Sequence, residues 1–302
     1  MACKTIVITL AIFLVSTCHG VLVAQTDNQP ALSTSPPLDF KSLLRPRFNL
    51  SAEWEPKADG FATSSYDLSM QVPIYPIFGP PPPFLTAGYA FTQIDAPVEI
   101  DLPQELHDLS VGMSWMRKIN DRWMARFMIS GAFASDLNNT SDAWQIRGGG
   151  FAIFRPNKQW SFAFGAIATG RDDIPVIPAI GAIWEPSREL RIDLMLPNPK
   201  IAFLMAESDT RQHWAYVGGG FTGGTWAFDR STRASERLTY REWRLVLGWE
   251  SQRPRPPGTF RRLGTSLGAE LGYVFGRKFE FDNNLAGISV SDALLLRTSI
   301  EF

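Results

Sequence analysis

Apolar and polar residues alternate at every second position along most of the chain beyond residue 46. In the stretch WRLVLGW at 243–249, tryptophan or leucine occupies each odd position, with arginine, valine and glycine between them. A period of two residues is typical of a β-strand that has one apolar face. The same alternation recurs at 48–54, 66–72, 85–91, 109–115, 123–133, 160–164, 190–196, 267–275 and 294–302. The pattern therefore predicts an all-β protein.

The second face of these strands decides what kind of sheet they form. It carries mainly glycine, serine and alanine with isolated charges, whereas the outer face of a soluble sandwich is rich in lysine, glutamate and threonine. Small residues with a few charges suit a crowded, wet interior, and the apolar face then contacts lipid. Closure also leaves no unpaired backbone edge in a bilayer. We predict a transmembrane antiparallel up-and-down β-barrel of about 14 strands, or about 12 if the glycine-rich segments 143–155 and 213–228 are not strands. A soluble sandwich is the competing interpretation.

The tryptophans agree with a membrane barrel, because all ten lie at or near the end of a predicted strand. An indole at a membrane interface keeps its ring in hydrocarbon and its N–H in water. One predicted aromatic girdle comprises Trp115, Trp123, Trp160, Trp184, Trp214 and Trp249, and the opposite girdle comprises Trp54, Trp144, Trp226 and Trp243. The alternative is that these side chains pack the core of a soluble protein.

The connections between the strands alternate in length. Compact polar turns are expected near 117–121, 155–158, 185–188 and 208–212, and longer connections at 55–63, 93–104, 135–142, 229–236 and 277–291. Short periplasmic turns and longer outer loops are the arrangement of outer-membrane barrels. Two connections on the short-turn side are long, and the proline-rich one at 73–83 is expected to cap a turn or to form a small inward plug.

The N-terminal segment predicts export from the cytoplasm. Lys4, an apolar run and a small-residue region have the order of a secretory signal peptide, which we assign to 1–24 with Gly20 as the second choice of cleavage site. A lipoprotein signal at Cys18 is a further alternative. Both cysteines lie in this segment. Residues 25–46 are then a periplasmic lead-in, and 47–302 form the barrel in the outer membrane of a bacterium.

Charge and motifs argue against several classes of function. A net charge of −1 and a pI of about 6.3 give no basic excess for binding nucleic acid. His107 and His213 have no serine partner that the sequence places beside them, and no cluster has the spacing of metal ligands. The two GGG runs do not have the lysine and helix of a phosphate loop. We therefore predict no enzyme, no catalytic residue, no metal and no cofactor.

Charged residues on the predicted inward face are the candidates for lining the barrel lumen. They are Arg126, Arg147, Arg191, Asp193, Glu242, Arg244, Glu250, Glu270 and Arg297. Their signs are mixed, which does not indicate strong selectivity for anions or cations. Either they brace a narrow interior through ion pairs, or they line a diffusion path for small polar solutes.

Several stretches of the second half carry a resemblance to a known family. The stretches 189–203, 214–228, 240–250 and 267–281 resemble a family of uncharacterised outer-membrane β-barrel proteins, defined only as a domain of unknown function. The resemblance implies a barrel and the outer membrane, and it implies no activity.

The end of the chain resembles the C-terminal signal that the barrel assembly machinery recognises. Its residues here are Leu294, Leu296, Ile300 and Phe302, and Thr298 is less apolar than that signal prefers. The expected partners are therefore outer-membrane lipid, the assembly machinery and a small polar solute. The expected function is a passive channel or transporter for small solutes. The alternative is a non-conducting structural or anchoring barrel whose lumen is filled by side chains or plugged.

Overall fold

The computed structural model describes residues 46–75, 81–230, 235–254, 264–282 and 287–302. The predicted signal peptide and nearly all of the predicted lead-in lie outside the described residues. So do 76–80 of the proline-rich connection and most of the connection at 251–262.

The described chain forms fifteen β-strands and one short 3₁₀ helix at Val98–Ile100. The strands are β1 Arg47–Ala58, β2 Phe61–Pro73, β3 Phe84–Asp95, β4 Glu105–Lys118, β5 Trp123–Ser135, β6 Trp144–Phe154, β7 Trp160–Ala168, β8 Val176–Trp184, β9 Leu190–Asp193, β10 Lys200–Glu207, β11 Gln212–Asp229, β12 Ser235–Gln252, β13 Ser266–Phe281, β14 Ile288–Val290 and β15 Ala293–Glu301. No helix in these residues is long and apolar enough to cross a membrane.

All strands except the three-residue β14 form a closed antiparallel barrel of 14 strands. Each strand pairs with its neighbours in sequence, and β15 also pairs with β1 through Leu50↔Ile300 and Trp54↔Leu296. The two glycine-rich segments are the strands β6 and β11. The predicted up-and-down barrel of about 14 strands is thus confirmed, and both the lower count and the soluble sandwich are wrong.

The two faces of the wall separate as the alternation predicts. On the outward face Leu247, Val111 and Ile129 are 64%, 61% and 59% exposed. The residues beside them in sequence, such as Gly112, Ser130 and Gly248, lie on the inward face of the wall. Since apolar side chains cover the outer surface of a closed sheet, the outward face is suited to contact hydrocarbon.

One long hairpin divides the interior at one end of the barrel. The proximal end of the barrel is the end at which β1 starts and β15 ends. The opposite end is called the distal end. Strands β11 and β12 have 18 residues each, whereas β9 has 4. Pairing of β11 with β10 stops at Gly218, and further along Ala227 pairs in parallel with Ser135 of β5. The distal part of β11 therefore leaves the wall at β10 and crosses to β5.

The connection between β1 and β2 is shorter than the sequence analysis predicts. Residues 55–63 are not a loop, because the strands run to Ala58 and Phe61 and only Asp59 and Gly60 form the turn. Their φ angles are +45° and +88°, and an Asp-Gly pair is suited to a two-residue hairpin turn with two positive φ angles. Similarly, β13 continues to Phe281, beyond the start of the loop expected at 277–291.

The orientation of the wall can be tested with two adjacent substitutions in β5. Ile129→Arg places a charge on the outward face, and we expect it to lower the free energy of unfolding in lipid vesicles by about 2–4 kcal/mol. Ser130→Arg places the same charge in a lumen cavity at nearly the same depth. It should therefore cost much less. Urea titration of both variants measures the difference, and equal losses would contradict the assignment of the two faces.

Candidate functional site in the barrel interior

The structure places every predicted lumen residue on the inward face of the wall. One side of the interior, next to β11–β15 and β1, contains Glu242, Arg244, Glu250, Glu270 and Arg297. The other side, next to β5–β10, contains Arg126, Arg147, Arg191 and Asp193. The two sides differ in packing: the first is largely filled by side chains, and the second contains cavities.

An ion-pair network fills the interior beside β1, β12 and β13; it consists of Glu53, Glu55, Glu242, Arg244 and Arg277. The Arg244 guanidinium donates two hydrogen bonds to the carboxylate of Glu53, at 2.9 and 3.0 Å, and its Nε donates to Glu242 Oε1 at 3.2 Å. This paired geometry is the strong form of an arginine–carboxylate contact. It joins β1 to β12 across the interior.

Arg277 is the second cation of the network and is 1% exposed. Its Nη2 donates to Glu55 Oε2 at 2.7 Å, and its Nε donates to the Tyr240 hydroxyl at 2.9 Å. The Thr63 hydroxyl donates to the same Glu55 oxygen at 2.6 Å, and the Tyr240 hydroxyl donates to Glu242 Oε2 at 2.5 Å. A buried charge without such partners would be strongly destabilising.

The three carboxylates of the network lie close enough to hold a cation, since their oxygens are within 4.8 Å of one another. Each of them, however, already accepts hydrogen bonds from Arg244 or Arg277. We interpret the cluster as a structural ion-pair network, because the guanidinium groups supply the neutralising charge that a metal would otherwise provide.

Sequence periodicity alone does not find Arg277. The alternation of β13 up to Phe275 would point residue 277 outward, but Gly276 has a φ of +60° and forms a bulge opposite Glu242. The extra residue reverses the alternation, so that Arg277 and Phe279 face inward. An isolated glycine within a strand is a signal for a bulge, and GRK at 276–278 contains that signal.

An apolar cluster, here called the distal core, fills the interior at the distal end. Its buried members come from seven strands and include Phe228 and Leu238 at 0% exposure. They are Phe61, Ile94, Leu106, Phe228, Leu238, Phe279 and Val290. Buried apolar side chains of this kind are typical of a folded core and exclude water from that part of the lumen.

Two tryptophans predicted for the girdles lie inside the barrel. Trp226 packs against the distal core, and Trp214 is paired with the inward residues Leu204 and Glu250. Assigning them to the girdles is therefore wrong. Both side chains lie at inward-facing positions of β11, and closeness to a strand end does not reveal which face a residue occupies. The structure places the remaining candidates on the outward face, and these are Trp54, Trp115, Trp123, Trp144, Trp160, Trp184, Trp243 and Trp249.

The C-terminal strand closes the wall. Leu294, Leu296, Ile300 and Phe302 occupy alternate, outward-facing positions in β15 and at its end. The ring of Phe302 stacks on that of Phe48 with centroids 5.5 Å apart, and the Phe302 N–H donates to the Phe48 carbonyl at 3.0 Å. The final residue of the chain is therefore held by the first strand.

Two adjoining cavities occupy the side of the lumen next to β2–β8. The larger has a volume of about 310 Å³, and its lining includes Arg126, Ser130 and Arg147. The smaller has a volume of about 250 Å³ and lies beside β11 and the loop 169–175. Arg147 and Thr169 line both cavities. Together the cavities extend from the proximal half of the barrel to the loop 169–175 at the distal end.

Charges in the cavities are mainly positive. Arg147 pairs with Asp108 at 2.5 Å, and Arg171 pairs with Asp173 at 2.7 Å. Among the described residues that line either cavity, Asp108 is the one carboxylate. Above the smaller cavity, burial raises the pKa of the Asp172 carboxyl above its ordinary value, and Arg237 at 2.8 Å opposes that rise.

Two acid–arginine pairs among the predicted lumen residues, Glu242 with Arg244 and Arg191 with Asp193, have different positions. Glu242 is 0% exposed in the ion-pair network, where it accepts from Arg244. Arg191 lies 3.5 Å from both Asp193 and Glu185 near the proximal end. The first pair is thus part of the filled side, and the sequence could not distinguish a filled side from an open one.

Tyr216 shows how a glycine shapes the filled side. Its ring lies directly over Gly248, its partner across β11 and β12, and its hydroxyl donates to Glu270 Oε1 at 2.5 Å. A methyl group at position 248 would overlap that ring. The position therefore needs glycine for a close approach of the aromatic side chain.

This packing gives the first prediction for the site. We expect Gly248→Ala to lower the free energy of unfolding by about 1–3 kcal/mol, because the Tyr216 ring must move away from Glu270. Gly131→Ala is the matched control, since no atom lies within 4 Å of the added carbon. Urea titration in vesicles compares the two, and a neutral Gly248→Ala would disprove the close contact.

The ion-pair network gives the second prediction. Arg277→Gln leaves Glu55 and Glu242 short of positive charge, and we expect a loss of about 3–5 kcal/mol in the free energy of unfolding. Adding Glu55→Gln should restore part of the loss. Lys57→Gln, which removes the exposed pair with Asp95, is the control and should cost about 0–1 kcal/mol. An Arg277→Gln variant as stable as that control would show that the network contributes little.

Comparisons with solved structures find proteins that are similar to this chain over most of its length. The "KdgM porin" is similar, with 8% sequence identity, a TM-score of 0.36 and coverage of 85% of this chain and 98% of that one. The "Bacterial polysaccharide outer membrane secretin" has 9% identity, a TM-score of 0.43 and coverage of 86% and 98%. The "NanC porin" structure has 8% identity, a TM-score of 0.32 and coverage of 84% and 98%. This likeness concerns the fold alone.

A family model gives the clearer assignment. No curated protein matches the chain significantly. Residues 85–284 match the model described as "Domain of unknown function (DUF6268)", in agreement with the resemblance seen in the sequence. Because this match spans more than half of the chain, the protein belongs to the DUF6268 family.

Proposed function

We propose that the protein is an outer-membrane barrel that provides a narrow passive path for small polar solutes. The observation that carries the proposal is the pair of adjoining cavities, of about 310 and 250 Å³, on the β2–β8 side of the lumen. They share Arg147 and Thr169, and polar side chains contribute to the lining of both. A wet, polar lining is what a small hydrophilic solute requires for diffusion.

The path in this proposal is narrow because side chains fill a large part of the interior. The ion-pair network occupies the side next to β1, β12 and β13, and the distal core fills the distal end between β2–β4 and β11–β14. Space for a solute remains on the β2–β8 side, where the two cavities lie. We therefore expect conductance well below that of a wide, water-filled porin.

The proposed location of the protein is the outer membrane. Support comes from the apolar outward face of a closed sheet, which leaves no unpaired edge among the wall strands. The proposed partners are the lipid of that membrane and the assembly machinery, which would bind the alternating outward residues that end at Phe302. We propose no catalytic activity for the barrel.

A second candidate is a non-conducting structural or anchoring barrel. The crossing of β11 to β5 favours it, because Asp136 N–H donates to the Ala227 carbonyl at 3.0 Å and holds the hairpin across the distal end. Loop residues continue the contact: Asn139 Nδ2 donates to the Phe228 carbonyl at 3.3 Å. If this partition seals the smaller cavity from outside, no solute passes.

Conductance in planar lipid bilayers separates the two candidates. We expect the purified protein to give small, discrete current steps. Ser130→Trp should reduce the step size because an indole would enter the larger cavity. Ala125→Trp is the matched control on the same strand, with its side chain on the outward face, and should leave the steps unchanged.

Each outcome decides between the candidates. Absence of current steps from folded wild-type protein would favour the non-conducting barrel and end the channel proposal. Steps that Ser130→Trp does not reduce would show that solutes cross elsewhere than through the larger cavity.

A further inference from the structure

Arg126 differs from the other arginines of the barrel interior. Its side chain points from β5 into the larger cavity and is half-buried. Within the described residues it has no hydrogen bond and no carboxylate partner. By contrast Arg147, Arg171 and Arg244 each form an ion pair with a carboxylate, and so does Arg277.

The missing partner has a physical consequence. A guanidinium group remains charged at any physiological pH, so it cannot lower the cost of partial burial by losing its proton. Its five N–H donors have a fixed geometry that matches a carboxylate or phosphate group. An unpaired guanidinium in a confined cavity therefore attracts an anion from solution.

The cavity around Arg126 adds neutral hydrogen-bonding groups and no competing acid. Its polar lining includes the Thr86 and Ser114 hydroxyls and the Gln71 amide, and none of the described residues that line it is aspartate or glutamate. Met128 and Ile167 supply apolar contacts. This combination suits a small molecule with one anionic group and a short body. The volume of about 310 Å³ is at the lower end of the usual range for ligand pockets.

We propose that Arg126 is the recognition residue of a binding site for small organic anions in the larger cavity, through hydrogen bonds to a carboxylate or phosphate group. The inference rests on the proposed function in one respect: the site lies on the proposed path and makes that path prefer anions. Binding itself does not require conduction.

Calorimetric titration of the purified, folded barrel in detergent tests the site directly. Lactate is the probe, and lactamide, which has the same body with an uncharged amide, is the control ligand. We expect heat of binding with lactate and none with lactamide. Arg126→Gln should weaken lactate binding about tenfold or more, the size expected for loss of a charged hydrogen bond. Arg126→Lys keeps the positive charge but lacks the planar set of guanidinium N–H donors, so it should bind lactate with intermediate affinity.

A matched variant controls for net charge. Arg117→Gln removes an exposed arginine on the outward face at the proximal end of β4 and should bind lactate as the wild type does. The heat-dependent mobility of each variant on SDS gels verifies that its barrel is folded. Equal binding of lactate and lactamide, no binding of lactate by wild type, or unchanged binding by Arg126→Gln would each overturn the site.

A bilayer measurement distinguishes failure of the site from failure of the channel. In a KCl gradient the reversal potential of the wild type should indicate preference for chloride, and Arg126→Gln should reduce that preference while Arg117→Gln does not. Lactate binding without any current would retain the site and remove the channel. Current with unchanged selectivity and unchanged binding in Arg126→Gln would retain the channel and remove the site.

Discussion

The interior of this barrel is governed by the need to neutralise charges that cannot reach bulk water. Glu53, Glu55 and Glu242 are close together, and their mutual repulsion is offset because Arg244 and Arg277 donate to them at short range. Such pairs add little to stability relative to an apolar core, but losing one member leaves an uncompensated charge. The network therefore fixes how β1, β12 and β13 face one another, and it occupies the space that a wide pore would need.

The filled and open sides of the lumen follow from this arrangement. The long hairpin of β11 and β12 adds Phe228 and Leu238 to the distal core. The short strands on the other side leave space that the hairpin does not fill. Charges are divided accordingly: acidic residues are concentrated in the filled side, whereas arginines predominate in the cavities. A solute crossing the barrel would meet mainly positive charge, although the chain as a whole has a net charge of only −1.

Membership in the DUF6268 family shows which part of the chain is shared, and the match at 85–284 includes β11, β12 and much of the cavity wall. The family assigns no activity, so function has to be argued from the interior. Two features point in opposite directions. The cavities favour passage of small solutes, and the contact of Ala227 with β5 favours closure at the distal end. A narrow path is consistent with both, because the crossing hairpin limits the opening without filling the β2–β8 side.

The sequence by itself determined the class of fold and the two faces of the wall, because a period of two residues depends only on strand geometry and on which solvent each face meets. It also placed Arg126 and Arg147 on the inward face correctly. Only the tertiary structure decided which inward residues meet: Arg277 turns inward at the Gly276 bulge, Trp214 and Trp226 lie inside, and Glu53 reaches Arg244 across 191 residues of sequence. The alternation of apolar and polar positions gives the side of the sheet on which a residue lies, but it does not give the neighbours of that residue across the lumen. Those depend on strand length, bulges and the path of one hairpin, so the division into a filled and an open side exists only in the folded barrel.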